Sequence, residues 1–113
     1  MDCIFCKIIK KEIPASILYE DEKILIFNDL NPEAPKHFLV IPKEHIASVN
    51  ELNACNSDVI SHIFTKINEV SQNIKELENG YRIVTNCGEN ASQTVKHLHF
   101  HVLGGRKLSW PPG

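Results

Sequence analysis

The sequence predicts an α+β fold in which an antiparallel β-sheet of about five strands packs against one main helix. Short apolar runs of strand length recur between turn residues, and one longer stretch carries apolar residues three and four positions apart. The elements follow one another in the order β-β-β-α-β-β. With 113 residues, and neither an internal repeat nor a low-complexity stretch, the chain is predicted to be one domain, residues 1–113.

Three strands are predicted in the first half of the chain. Ile17–Tyr19 and Ile24–Phe27 are apolar runs on either side of Glu20–Lys23, which is the pattern of a β-hairpin. Two prolines exclude regular strand pairing within Asn31–Pro35, so this segment is predicted to be a loop. Phe38–Ile41 then forms a short and wholly apolar run, which is typical of a buried strand.

The main helix is predicted between Ser57 and Leu77. Ser57 is a residue type that caps helix N-termini, and Asn79-Gly80 is a typical stop signal. The apolar residues between these signals recur at intervals of three and four and form one stripe: Ile60, Ile63, Phe64, Ile67, Val70, Ile74 and Leu77. We therefore expect this stripe to pack on the sheet.

The last two strands are predicted at Tyr81–Thr85 and His97–Leu103. In the second, His97, His99 and His101 alternate with apolar residues, so a strand would place all three imidazoles on one face. A zinc site made by these three alone would distort the strand, because same-face neighbours lie roughly 7 Å apart. The pattern favours nucleophilic and acid–base roles, and the alternative is a merely polar strand face.

Composition limits the classes of partner. The formal net charge is −2, so no global basic field is available for a nucleic acid polymer, whereas a small ligand needs only a local site. Met1-Asp2-Cys3 begins without a basic or apolar signal region, and no apolar run reaches the length of a membrane span. These features predict a cytosolic protein whose four cysteines are thiols or metal ligands.

Cys3 and Cys6 have the spacing of half a zinc site. Two thiolates in one tight turn can bind zinc together with two ligands from elsewhere, for which His45, His37 and one residue of His97–His101 are candidates. A redox role is less favoured, because no helix is predicted directly after the pair to lower a thiol pKa. Two incidental cysteines are the remaining alternative.

A polar loop precedes the histidines. Asn86 and Gly88–Thr94 are small or polar, and backbone N–H groups and hydroxyls there could meet a phosphate beside the imidazoles. The alternative is an ordinary surface turn. Asp29 is similarly ambiguous, because it is either a turn residue or an acceptor for a pair of sugar hydroxyls.

Segments along nearly the whole chain resemble one known family. Besides His97-x-His99-x-His101 with its following apolar pair, the matching segments are Cys3–Ile9, Lys11–Pro14, Asn31–Lys43 and Leu103–Gly113. Together they resemble the histidine triad (HIT) superfamily of nucleotide-binding hydrolases and transferases. The ending Trp110-Pro111-Pro112-Gly113 resembles the Hint branch, the purine nucleoside phosphoramidases. The uridylyltransferase branch usually has glutamine in place of His101, and the diadenosine polyphosphate hydrolase branch lacks this ending.

The resemblance implies a reaction. His99 would attack the α-phosphorus of an adenosine phosphoramidate or acyl-adenylate, and water would then cleave the nucleotidyl-histidine. The other ring nitrogen of His99 would donate to a main-chain carbonyl. His101 would contact the phosphate and the leaving group. Thr94 stands where the family has a serine whose hydroxyl approaches both.

The resemblance also implies the nucleotide contacts. Asn86 and the backbone of Ser92 and Gln93 would contact the phosphate, and Asp29 with Leu30 the ribose. The base pocket would consist of Phe5, Ile8 and Phe27. The chain departs from the usual family sequence by having Ala91-Ser92-Gln93 for Gly-Gly-Gln and Lys96 for an aromatic residue.

Zinc and a partner subunit follow from the same resemblance. Bacterial members that contain zinc imply a site at Cys3, Cys6, His45 and His97, in which His97 is a structural anchor. A homodimer with one continuous sheet is expected, with Trp110 in the tail near the partner's site. Two alternatives to a phosphoramidase are a dinucleoside polyphosphate hydrolase and a nucleotide- or zinc-binding module without significant turnover.

Overall fold

The structure is a computed structural model that describes residues 3–113. Met1 and Asp2, which contribute to the prediction of a missing signal region, lie outside the described residues. The helices and strands are α1 (Ile4–Ile9), β1 (Ile17–Glu20), β2 (Ile24–Asn28), β3 (Lys36–Pro42), α2 (Asp58–Ser71), β4 (Tyr81–Val84) and β5 (Phe100–Gly104). Short 3-10 helices lie at Val49–Glu51, Lys75–Leu77 and Glu89–Ala91.

The five strands form one antiparallel sheet in the spatial order β1-β2-β3-β5-β4. The central pair is β3 and β5, in which Leu39 lies opposite His101 and Val40 lies opposite Phe100. On the other side of β5, Val84 of β4 also lies opposite His101. The predicted α+β fold with a five-stranded antiparallel sheet and one main helix is confirmed.

Both faces of the sheet are covered, because alternate strand residues pack against different helices. On the face toward α2, Ile63 and Ile67 of the helix belong to the same core as residues of three strands: Ile24 and Ile26 of β2, Phe38 and Val40 of β3, and Phe100 and Val102 of β5. The opposite face is covered by α1, with Phe5 and Ile8 against Leu25, Phe27, Leu39 and Ile41. The N-terminal helix thus lies over the sheet face opposite α2.

The main helix ends earlier than its apolar stripe suggests. It stops at Ser71, after which Ile74 has an extended backbone and Lys75–Leu77 forms a 3-10 turn. The Asn73 side-chain amide donates to the carbonyl of Glu69 at 3.3 Å, which satisfies one free group at the helix end. Leu77 remains buried, so burial of the stripe does not require helix throughout.

The N-terminus of α2 is where the sequence places it, but the predicted cap does not form. Ser57 occupies the N-cap position, yet its side chain makes no capping hydrogen bond. Its backbone is already helical, with φ −73° and ψ −12°, which is not the extended conformation that orients a capping hydroxyl.

The predicted final strand begins three residues late, because β5 starts at Phe100. The backbone N–H of Leu98 donates to the carbonyl of Ile46 at 2.6 Å, so this stretch pairs with a loop and not with β3. The predicted alternation nevertheless persists. Leu98 packs in the α2-facing core, whereas the rings of His97 and His99 lie against Phe5 on the other face.

None of the helices within residues 3–113 is long and apolar enough to cross a membrane.

The backbone after β5 requires a glycine. Gly105 has φ +95°, and a Cβ there would lie 2.9 Å from the Cβ of Pro35. Gly105→Ala is expected to lower the free energy of unfolding by about 2–3 kcal/mol, through backbone strain plus this clash. Gly80→Ala is the matched control, because Gly80 has φ +122° with no neighbour within 4 Å. Equal losses in chemical denaturation of the two variants would exclude the Pro35 contact as a cause.

Candidate active site and metal centre

Two groups of histidines lie side by side on the α1-covered face. The first contains Cys3, Cys6, His45 and His97, whose ligand atoms all lie within 4.8 Å of one another. Cys3 Sγ is 3.3 Å from His97 Nδ1, Cys6 Sγ is 3.3 Å from His45 Nδ1, and the two Nδ1 atoms are 3.1 Å apart. We call this group the thiol–imidazole cluster.

The thiol–imidazole cluster fits a tetrahedral zinc ion. Ligands at Zn–S distances of about 2.3 Å and Zn–N distances of about 2.0–2.1 Å lie roughly 3.3–3.8 Å from one another, close to the separations found here. The Nε2–H of His97 donates to the carbonyl of Pro42 at 2.9 Å, so its Nδ1 lone pair is free to face the cluster. In the protein without metal, burial raises the pKa of Cys6, and the adjacent Cys3 thiol adds to the effect. A bound cation would instead lower the pKa of the Cys6 thiol and favour the thiolate that binds the metal.

The two cysteines are brought together by α1, a six-residue helix that the sequence analysis missed. Cys3 is its N-cap residue, and its sulfur accepts the backbone N–H of Cys6 at 3.4 Å. The expectation that no helix directly follows the pair was therefore wrong. The proximity of His45 and His97 to both sulfurs nevertheless favours metal binding over a dithiol acting alone.

His99 lies next to the thiol–imidazole cluster, and its tautomer is defined by the backbone. Its Nδ1–H donates to the carbonyl of His97 at 2.7 Å, which leaves the lone pair on Nε2. The ring is buried and makes edge contacts with Phe5 and with His101, each with a centroid distance of 5.1 Å. His99 therefore presents one defined nitrogen for attack on an electrophile.

The second histidine group is built around His37 and His101. The backbone N–H of Glu33 donates to Nδ1 of His37 at 3.1 Å, so the proton of the neutral His37 ring resides on Nε2. This Nε2–H donates to Nδ1 of His101 at 2.9 Å. The remaining nitrogen of His101, Nε2, then carries a proton and can donate to a ligand.

The sequence analysis considered His37 only as a candidate zinc ligand, and that proposal is wrong because His37 lies with Asp29 and His101 instead. Asp29 Oδ2 is 3.5 Å from His37 Nε2. The three residues also make a poor metal site, because the donor from Glu33 keeps Nδ1 of His37 unprotonated and leaves Nε2 without a free lone pair. The contact between His37 and His101 joins neighbouring strands, so only the strand order could have indicated it.

Burial keeps these imidazoles neutral. It lowers the pKa of His101 to about 4, and the nearby His99 and His37 rings act in the same direction. Burial also lowers the pKa of His37 and of His97. Near neutral pH, His101 is therefore a neutral hydrogen-bond donor through Nε2.

The low pKa of His101 predicts acid sensitivity of the fold. The unfolded chain binds a proton at this residue from about pH 6.5 downwards, whereas the folded chain does so only near pH 4. The free energy of unfolding should therefore fall as the pH falls through this window, by up to roughly 3 kcal/mol from this residue. Urea titrations between pH 7 and pH 4 should show a shallower slope for His101→Gln than for wild type, and identical slopes would contradict this assignment.

The loop before the histidines is held together by Gln93. Its side-chain amide donates to the carbonyls of Ala47 at 2.8 Å and Val95 at 3.0 Å, and its Oε1 accepts the N–H of Gly88 at 3.0 Å. The backbone N–H groups of Ser92 and Gln93 donate to Glu89 and Gly88. The phosphate contacts expected from these two N–H groups would therefore compete with bonds inside the loop.

The other predicted phosphate ligands are more available. Thr94 and Ser92 are exposed, and Asn86 is half-buried. Neighbouring Thr85 donates its hydroxyl to the carbonyl of His99 at 2.8 Å, which connects this segment to the nucleophile candidate. The roles of Asn86, Ser92 and Thr94 in phosphate binding stay predictions.

The predicted base and ribose contacts fall on both sides of the histidines. Phe5 and Phe27 meet edge to face with centroids 5.7 Å apart, and Ile8 is buried in the same cluster. Asp29 is half-buried, and its Oδ1 accepts the N–H of Asn31 at 2.8 Å. Leu30 is 87% exposed and thus open to a ligand.

Comparisons with known proteins agree with this architecture. Residues 2–109 match the family described as scavenger mRNA decapping enzyme C-term binding. The chain is 48% identical to an uncharacterized HIT-like protein of Synechococcus elongatus, over 99% of this chain and 97% of that protein. It is 44% identical to the 14 kDa zinc-binding protein of Zea mays, over 97% of this chain and 87% of that protein.

A solved structure has the same fold as this chain. The HIT family hydrolase from Legionella pneumophila superposes with a TM-score of 0.95 and 45% identity, over 99% of this chain and 100% of that chain. The match extends over helices, strands and the histidine-bearing segment alike. With its alternating histidines on the face covered by α1, the chain belongs to the histidine triad (HIT) superfamily.

Proposed function

We propose that this protein is a hydrolase of the Hint type that cleaves purine nucleoside phosphoramidates or acyl-adenylates through a nucleotidyl-histidine intermediate on His99. The observation that carries the proposal is the 2.7 Å hydrogen bond from His99 Nδ1 to the His97 carbonyl, because it leaves Nε2 as the attacking atom. Similarity to the Legionella HIT family hydrolase supports a hydrolase in general.

In the first step, the Nε2 lone pair of His99 attacks the α-phosphorus and the P–N bond to the leaving amine breaks. Its electron pair stays on the amine nitrogen, which takes a proton relayed from water through the Thr94 hydroxyl. The Nε2–H of His101 donates to a non-bridging phosphate oxygen, where negative charge increases. His37 supports this donor by holding His101 in the required tautomer.

In the second step, a water molecule attacks the same phosphorus and the bond between phosphorus and His99 Nε2 breaks. The electron pair returns to Nε2, the water gives its proton to solvent, and AMP or GMP leaves. Phe5, Ile8 and Phe27 would form the base pocket, with Asp29 and Leu30 at the ribose. The buried Phe5–Phe27 pair supports an aromatic ligand there.

A side-by-side comparison of substrates tests the reaction class. Adenosine 5′-phosphoramidate should be hydrolysed with kcat/KM at least about 10²-fold above that for a diadenosine polyphosphate, because the proposed proton relay through Thr94 serves a leaving amine and gives no advantage to a polyphosphate anion. The reverse preference would assign a dinucleoside polyphosphate hydrolase. Nucleotide binding without turnover of either substrate would identify a binding module.

We propose that Cys3, Cys6, His45 and His97 bind a structural zinc ion, which would supply cross-linking between the N-terminus and the active segment and no chemical step. The ligand-atom separations and the similarity to the maize zinc-binding protein support this. Elemental analysis should find one zinc per chain. A folded protein that contains no metal and takes up none on zinc addition would contradict the proposal.

We further propose a homodimer with a cytosolic location, where its four free cysteines are reduced unless an oxidant acts on them. β4 is an edge strand of the sheet, so its outer backbone groups can pair with a second copy. The tail contacts β4 through a bond from the Arg82 side chain to the carbonyl of Ser109 at 2.9 Å, and Trp110 is 79% exposed. Light scattering should give twice the chain mass, and a monomer at assay concentration would exclude a contribution of Trp110 to the partner's site. No nucleic acid polymer and no membrane are expected as partners.

A further inference from the structure

His97 belongs to both the thiol–imidazole cluster and the catalytic segment. Its ring nitrogen Nδ1 lies 3.3 Å from Cys3 Sγ and 3.7 Å from Cys6 Sγ, while its carbonyl accepts the Nδ1–H of His99. The side chain is fully buried. The same residue therefore contacts both thiols and sets which nitrogen of His99 carries the lone pair.

The sheet does not hold this carbonyl in place. β5 begins only at Phe100, so His97 and His99 lie outside the strand ladder. The position of His97 depends on its ring contacts in the cluster, on the bond from its Nε2 to Pro42, and on the neighbouring bond from Leu98 to Ile46. Loss of the cluster removes the first of these restraints.

A second connection runs through α1. Phe5 lies between the two cysteines in sequence, and its ring makes edge contacts with His97 at 5.9 Å and His99 at 5.1 Å. Because Cys3 caps α1 and Cys6 lies within it, a change in their bonding would act on the same short helix that carries the Phe5 ring. Both connections start at the thiols and end at the proposed nucleophile.

The thiol pair has the geometry of a dithiol that can be oxidised. Cys3 is a helix N-cap whose sulfur accepts the N–H of Cys6, and the two sulfurs lie within 4.8 Å of each other. Cys6 is the more accessible of the two, so it would meet an oxidant first, with Cys3 as the resolving thiol. Disulfide formation would remove two of four ligands from the cluster.

We infer that Cys3 and Cys6 form a thiol switch that controls His99. Oxidation to a disulfide releases the metal, and His97 can then leave the position in which its carbonyl orients the ring of His99. The inference rests on the proposed function of His99. In the step, a hydroperoxide accepts two electrons from the two metal-bound thiolates as its O–O bond breaks, one S–S bond forms, the metal leaves, and solvent supplies the two protons that the oxygen products need. Hydrogen peroxide yields two molecules of water.

The test uses the zinc-loaded Cys55→Ser/Cys87→Ser protein, in which only the two cluster cysteines remain. After treatment with hydrogen peroxide, mass spectrometry should find the Cys3–Cys6 disulfide, and a chromogenic chelator should detect one released zinc per chain. The Nδ1–H signal of His99 in a ¹⁵N-resolved NMR spectrum should shift or disappear. Phosphoramidate hydrolysis should fall by about 10²-fold, as expected for a misplaced reacting group, and recover with dithiothreitol plus zinc.

A second variant, Cys6→His, provides a ligand that forms no disulfide, and it should keep both its zinc and its His99 signal in peroxide. The inference is overturned if the disulfide forms and zinc leaves while the His99 signal stays unchanged. It is also overturned if the thiols resist peroxide at concentrations that oxidise Cys55 in wild type. A reduced, zinc-loaded protein without phosphoramidate hydrolysis would contradict the proposed function alone, because zinc release and the NMR signal still decide on the switch.

Discussion

Replacement of His99 by alanine is expected to slow phosphoramidate hydrolysis by roughly 10⁴-fold or more. The Nδ1–H of this imidazole donates to the carbonyl of His97, which fixes the free nitrogen Nε2, and the ring lies directly beside His101. Without it, no nucleotidyl-enzyme forms and water would have to attack the phosphorus unaided. Nucleotide affinity should change little, because the base and ribose contacts lie on other residues. Single-turnover kinetics and AMP titration separate the two effects.

His62→Ala is the matched control for this experiment. His62 lies on α2 and pairs with Asp21 at 2.6 Å, remote from the α1-covered face, so its loss should leave turnover within about twofold. A His99→Ala enzyme within tenfold of wild type would contradict the assignment of the nucleophile.

Removal of the metal is expected to have the second large effect, on stability. If zinc is present at about 10³ times its dissociation constant, chelation should lower the free energy of unfolding by about 4 kcal/mol. The physical reason is that the thiol–imidazole cluster connects α1 to segments 39 and 94 residues away along the chain. Denaturant titration with and without EDTA measures this loss.

Two variants separate metal loss from general thiol chemistry. Cys6→Ala should unfold as easily as the chelated wild type and should not respond to EDTA. Cys55→Ser should behave as wild type, because Cys55 is exposed and lies in a loop away from the cluster. Equal stabilities of Cys6→Ala and Cys55→Ser would contradict a structural role for the metal.

The sheet and the main helix were predictable because short apolar runs mark the buried strands and an apolar stripe marks the helix. Ile24–Phe27 of β2 is a short continuous apolar run that is buried on both faces, and Ile60, Ile63 and Ile67 follow the helical spacing of α2. These patterns extend over enough residues to be distinguished from chance. The end of a helix depends on local hydrogen bonds such as the one from the Asn73 side chain to the carbonyl of Glu69. The periodicity of apolar residues does not contain this information.

The short N-terminal helix was not predictable in the same way. With six residues it spans less than two turns, too few for an apolar stripe, and its cap is a cysteine, which is an uncommon capping residue. Its stability comes from burying Phe5 and Ile8 on the sheet. The one signal in its sequence is the spacing of three residues that separates Cys3 from Cys6 and Phe5 from Ile8.

The candidate site was also predictable only in part. The cysteine spacing and the alternating histidines indicated which residues carry chemistry, and the resemblance selected His45 over His37 as a partner of the cysteines. The bond between His37 and His101 depends on β3 and β5 being neighbours, although 64 residues separate the two histidines. Strand order is a property of the whole fold, so a linear motif does not contain it.

The role of His99 as nucleophile can be tested by identifying the residue that carries the covalent intermediate. The enzyme is mixed with adenosine 5′-phosphoramidate, quenched in base within milliseconds, digested and analysed by tandem mass spectrometry. An adenylyl group is expected on the peptide that contains the three histidines, located at His99 and absent from His99→Ala. An adduct located on His97, His101 or any other residue would exclude His99 as the nucleophile.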